Sequence, residues 1–220
     1  MVITAGIAIW GLCQKQTYTN LLSQPEALNM LRVAEFPEAL VPTMAEQALK
    51  ELPESPIIIR ATAMAEKDYL FSLNLQKVSV QQVYRGEGIE PGDEVQIALN
   101  TKFTINAQTI EGMVADEKIA ELHFVNEMEK GKDYLIFLEK KIDPLDKREQ
   151  QAIYRVVESV ITPVFGYEER ENKIVDVSES ISTYIDYKLV KDNEFFVTSQ
   201  KTLDGFMELK KQLLAQFPKS

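Results

Sequence analysis

The chain predicts a mainly β, β-rich α+β fold: a small closed barrel preceded by short helices and followed by one longer helix. Three observations carry this expectation. The stretch from Leu70 to Leu99 reads as a long alternating strand, a glycine-rich turn and a returning strand. The run Asp133-Tyr134-Leu135-Ile136-Phe137-Leu138 is apolar on both faces, as a central strand buried from both sides must be. Leu203, Phe206, Leu209, Leu213 and Phe217 recur at helical spacing until Pro218 stops them.

On the first of these strands Phe71, Leu73 and Leu75 alternate with polar residues, and Val78 and Val80 continue the alternation one residue out of phase. A side-chain period of two changes phase only by gaining a residue, so a β-bulge is expected near Gln76 and Lys77, bending the strand to serve both halves of a barrel. Arg85-Gly86-Glu87-Gly88 and the Pro91-Gly92-Asp93 corner turn the chain back along Val95, Ile97 and Leu99.

From the N-terminus, Met1 to Cys13 is an uncharged apolar run ending at Gln14-Lys15-Gln16. It is shorter than the roughly 20 apolar residues of a spanning helix, and no basic stretch opens it. With Trp10 and Lys15 placed as interfacial anchors, residues 1–16 read as a partial membrane anchor or signal segment. The alternative is a buried apolar N-terminus. Residues 17–56, punctuated by prolines, read as a helical stalk or flap. One helix begins at Pro25 and runs through Leu31; a second is capped by Thr43, with Glu46 completing a capping box, and runs through Leu52.

Residues 57–145 are expected to form the barrel. Ile57, Ile59, Ala61 and Ala63 alternate along its first strand, Phe103 and Ile105 suggest a strand end or hairpin, Gly112 a turn, and Ile119 to Val125 is extended. Residues 146–220 read as a β extension with the final helix packed on the barrel and capped by Thr202. Its strands are expected at Ile153–Val157, Val160–Tyr167, Ile174–Val177, Tyr184–Tyr187 and Glu194–Thr198.

Three pieces in order, Val83-Tyr84-Arg85-Gly86, Pro91-Gly92-Asp93-Glu94-Val95 and Lys130-Gly131-Lys132-Asp133-Tyr134-Leu135-Ile136-Phe137-Leu138, resemble the bacterial relatives of the netrin-like domain. That domain is the OB-like barrel of tissue inhibitors of metalloproteinases, and the resemblance spans roughly Ile57 to Lys141, under half the chain. The likeness implies an OB-like barrel. It does not carry the inhibitors' chemistry, which uses an N-terminal disulfide-bonded cysteine to chelate zinc: the one cysteine here is Cys13.

The chemistry available is narrow. A formal net charge of -10 repels nucleic acid and anionic lipid alike, so no nucleic-acid partner is expected. The single cysteine excludes an internal disulfide and leans toward an exterior location. The single histidine, His123, sits in an extended context with no serine motif of the hydrolase type, and a partly exposed strand histidine explains it. Glu121 and Glu127 flank it as conceivable metal ligands, and Glu168, Glu169 and Glu171 form an acidic turn. Neither set follows a zinc or EF-hand spacing. Arg85-Gly86-Glu87-Gly88 lacks the Lys-Ser/Thr of a phosphate-cradling loop.

No catalytic, cofactor-binding or metal-ligating residue is therefore assigned, and no cofactor. The expected function is a non-catalytic, membrane-tethered interaction domain on the extracytoplasmic side of the cell membrane, binding a protein or cell-envelope component. The alternative is a metal- or carboxylate-dependent hydrolase of envelope polymers, which requires Glu121, His123, Glu127 and the acidic turn to gather in one pocket. A cytoplasmic structural protein with a buried N-terminus is a third reading.

Overall fold

Five strands close into a barrel because their inward faces carry aliphatic side chains that no open sheet of this size would cover. The computed structural model describes residues 27–64, 68–70, 73–110, 113–142, 151–175 and 184–219. In chain order the elements are β1 (Arg32–Ala34), α1 (Val41–Glu51), β2 (Ile57–Ala63), β3 (Asp68–Leu70), β4 (Leu73–Arg85), β5 (Glu94–Leu99) and β6 (Lys102–Ile110). There follow β7 (Met113–Glu121), β8 (Asp133–Ile142), β9 (Ile153–Val156), β10 (Val164–Gly166), β11 (Tyr184–Asp186), α2 (Tyr187–Val190) and α3 (Gln200–Gln216). The expected anchor over residues 1–16, Phe71 and the Gly112 turn lie outside the described residues. Among the described residues no helix is long and apolar enough to cross a membrane.

The barrel runs β2-β4-β5-β9-β8 and back to β2, antiparallel at every seam except β5–β9. This is a closed five-strand mixed barrel of OB-like size. Ile59, Ala61, Val78, Val80, Val95, Ile97, Ile136, Leu138, Tyr154 and Val156 fill its interior. The small Ala61 and Ala63 leave room for the branched residues opposite. The second edge of β8 is shared: β10 pairs with its first half and β9 with its second.

The bulge expected near Gln76 and Lys77 is not there, since Asn74 to Ser79 pair with β5 in unbroken register. The phase changes because both faces of this half-strand are buried. Leu75 points outward into a small cluster with Ala98 and Ile153, while Val78 points inward. The register shifts fall further along, where Gln81 and Tyr84 have no counterpart on β2. The extra residue at Gln81 lets Val80 and Val83 face the same interior, and Tyr84 turns out toward the helices.

The turn after β4 depends on Gly86, at φ +121°, where an added Cβ would lie 3.0 Å from the Ile57 side chain.

Helices α1 and α3 lie on the barrel wall rather than over its open end. Ile58, Leu135 and Phe137, the outward residues of β2 and β8, join Val41, Ala48, Leu52, Phe206, Leu209 and Leu213 in one core. The capping box at Thr43 does not form; α1 starts at Val41, with Pro42 in its first turn and no side-chain cap. A preceding 3₁₀ turn over Glu38–Leu40 already satisfies the Leu40 and Val41 amides through Pro37 and Glu38 carbonyls, and Pro42 has no amide to satisfy. For α3 the cap is Ser199, whose hydroxyl accepts from the Thr202 amide, so Thr202 is the capped residue and not the cap.

The hairpin of β6 and β7 and the expected strand β11 join β1 in a second sheet apart from the barrel, order β11-β1-β7-β6; neither β1 nor the separate sheet was expected. Its first strand sits inside the segment read as helical, of which Ala27–Met30 is a single 3₁₀ turn. Leu31, Val33, Ala120, Leu122, Ile185 and Phe196 form its core. The segment Asn193–Val197 joins the two cores: it is fully buried, with Phe195 and Val197 facing the helix layer and Phe196 the second sheet. It makes a single bridge, Val125 to Phe195, instead of the strand expected there. Ile174 and Val175, expected to begin a strand, are irregular, and the remainder of that expected strand lies outside the described residues.

Candidate functional site

A groove of about 640 Å³ opens between the C-terminal half of α1, the loop after β9 and the turn after β7. One helical stripe of α1 and its 3₁₀ continuation supply Met44, Ala48, Leu52 and, toward the rim, Glu51 and Glu54. Val157 and Ile161 form the opposite wall, where Val160 stands 45% exposed. Glu158 adds a third rim carboxylate, and among the described residues no Lys or Arg lines the groove.

The end of the groove is built from an uncommon turn. Leu122-His123-Phe124-Val125 has φ +48° at His123 and +65° at Phe124, closed by a Val125 amide donating to the Leu122 carbonyl at 3.4 Å. Two successive positive φ values ordinarily call for Asn-Gly, and a side chain in such a position is retained only where the surroundings hold it. Here they do. The Thr162 amide donates to the His123 carbonyl at 3.1 Å, the Thr162 hydroxyl to the Leu122 carbonyl at 2.9 Å, and the Phe196 amide to the Phe124 carbonyl at 3.0 Å. The Phe124 ring meets Phe36 edge-on at 4.9 Å. The result places His123 and Phe124 together at the groove.

The residues weighed from the sequence do not converge. His123 lines the groove, but Glu121 ends β7 as an exposed residue and Glu127 lies beyond the turn; neither lines it. Glu168 and Glu169 border a separate polar pocket of about 120 Å³, with Glu171 exposed beside it. Among the described residues no three of His, Cys, Asp and Glu gather around one point that could hold a metal ion.

Ion pairs line the polar pocket. Lys132 pairs with Glu168 and Arg170 with Glu129, each at 2.5 Å. Deeper, Lys210 reaches Glu194 at 2.5 Å, both side chains only 5% exposed. Burial pushes the Tyr134 phenol up to about 12 while its oxygen accepts from the Glu129 amide, so it stays neutral and serves as a strut. None of this was foreseen, although one signal was present: Lys210 stands beside Leu209 on the apolar stripe of α3, where a lysine needs a buried partner.

Asp133, at the rim of this pocket, is opposed by burial, which raises its carboxyl. Hydrogen bonds from Lys219 (2.7 Å) and Thr62 (2.5 Å) and the charges of Lys219 and Arg60 outweigh that and hold it below the usual carboxylate range. A carboxyl depressed in the folded state contributes stability that is present above its unfolded value, about 4, and lost as pH falls through its folded value. Asp133→Asn is expected to cost about 1 kcal/mol at pH 7, the pair being partly solvated, and almost nothing in strong acid. Urea unfolding at pH 7 and again below the carboxylate range checks it; a deficit that does not shrink in acid would rule out the ionic origin.

No protein-family model matches the chain, and no curated protein matches it at a significant level.

Proposed function

We propose that this chain is a non-catalytic interaction domain, of the netrin-like type its barrel motifs resemble, tethered to the cell membrane by its N-terminal apolar run and facing outward. It binds a protein component of the cell envelope in the groove beside α1. The observation that carries the reading is the turn at His123 and Phe124. A conformation costing of order 1–3 kcal/mol per residue is held by three hydrogen bonds, and what it delivers is His123 and Phe124 to a groove with an apolar floor. A hydrolase of the serine or cysteine type needs a base oriented by a third group. Among the described residues the His123 imidazole has no hydrogen-bond or ion-pair partner.

The test uses the full-length chain in intact cells, with a photo-crosslinking residue at Val160 and, as a control, at Leu189, which is exposed on α2 away from the groove. A defined protein adduct is expected at 160 and not at 189, lost on Phe124→Ala, with the chain removed by protease added outside. Equal adducts at both positions, or no adduct at 160, would overturn the groove as the binding site. Resistance to external protease would overturn the outward orientation.

A further inference from the structure

The groove's charge pattern specifies its occupant: we infer that it takes a cationic polypeptide segment carrying apolar anchor side chains. This rests on the groove being the binding site. Its floor is apolar, with Leu52, Phe124 and the exposed Val160 available to receive aliphatic or aromatic anchors. Its rim is of one sign, with Glu51, Glu54 and Glu158 all exposed. Among the described residues the only cation paired with any of these three is Arg85, 3.7 Å from Glu54 in a solvent-exposed contact. An acidic segment would be repelled by three rim charges and by a protein of net charge -10, whereas Lys or Arg side chains can lie along the rim while their neighbours fill the floor. The chain's own residues 1–26 do not fit this pattern, since they carry a single cation, Lys15.

A protein this acidic attracts basic peptides everywhere, so the test must separate the groove from the general field. The full-length chain is titrated calorimetrically with a short synthetic peptide alternating Leu and Lys, and with a Leu/Glu counterpart. Three proteins are compared: the unaltered chain, Glu51→Gln/Glu54→Gln/Glu158→Gln, and a charge-matched control, Glu169→Gln/Glu171→Gln/Glu208→Gln, whose positions do not line the groove.

Loss of the three rim charges is expected to weaken binding of the Leu/Lys peptide to the groove variant about tenfold. The control should stay close to the unaltered chain, and affinity should fall as salt is added. Equal weakening in both variants would assign the binding to overall charge and overturn the inference. Blocking of the Val160 crosslink by the Leu/Glu peptide as effectively as by Leu/Lys would overturn the cationic occupant while leaving the groove as the site. Failure of the native adduct at 160 would instead remove the groove itself.

Discussion

Lys210→Met is expected to destabilise the protein by roughly 3–5 kcal/mol, a large part of the stability of a domain this size. The lysine Nζ donates to Glu194 Oε2 at 2.5 Å and to the Glu168 carbonyl at 3.1 Å, while Glu194 Oε1 accepts from the Gly166 amide at 3.1 Å. Removing the cation leaves a carboxylate in the interior with one remaining donor. Methionine fills much the same volume, so the effect isolates the charge from the packing. Lys210→Met/Glu194→Gln should recover most of the loss, because the amide oxygen can still accept from Gly166 and no net charge remains buried. Urea unfolding of the two variants checks both steps. A single variant within about 1 kcal/mol of the unaltered protein would show that water reaches the pair in solution.

Barrel strands were legible: the alternating Ile57 to Ala63 and Val95 to Leu99 have little freedom of register, and the continuous apolar run Tyr134 to Leu138 sits buried on both faces as its pattern requires. The phase change in β4 was visible but misassigned, since a strand buried on both faces mimics a bulge in its pattern. Telling Leu75 outward from Val78 inward needs knowledge of the Ala98 and Ile153 patch that covers Leu75.

The second sheet was hidden for a different reason. Its strand β1 is three residues long and pairs in parallel with β7, some 87 residues later, so no local period betrays it. The site was half legible. His123 stood out as the lone histidine, but an extended reading of Ile119 to Val125 concealed the turn, because His-Phe is an uncommon choice for two positive φ values and only the contacts from Thr162 and Phe196 select it.

Gly205→Ala is expected to destabilise the protein by roughly 2 kcal/mol, against the usual rule that alanine improves a helix interior by up to about 1 kcal/mol. The reason is the closeness of α1 and α3. An added Cβ at position 205 would fall on Val41 Cγ1, well inside van der Waals contact. Val41 is buried and β-branched at the start of a helix, where one rotamer dominates, so it has little room to turn aside. Phe36, Phe206 and Leu209 pack around the same contact and hold the helices together. If this close approach is the cause, Val41→Ala, mildly destabilising by itself, should turn neutral or favourable in the presence of Gly205→Ala. The double-mutant cycle should then give a coupling of about 1–2 kcal/mol. Additive losses would mean that Gly205 is required for some other reason. Because α1 also forms one wall of the groove, a helix pushed outward by the added methyl group should weaken Leu/Lys peptide binding along with stability, and the Val41→Ala partner should restore the two together.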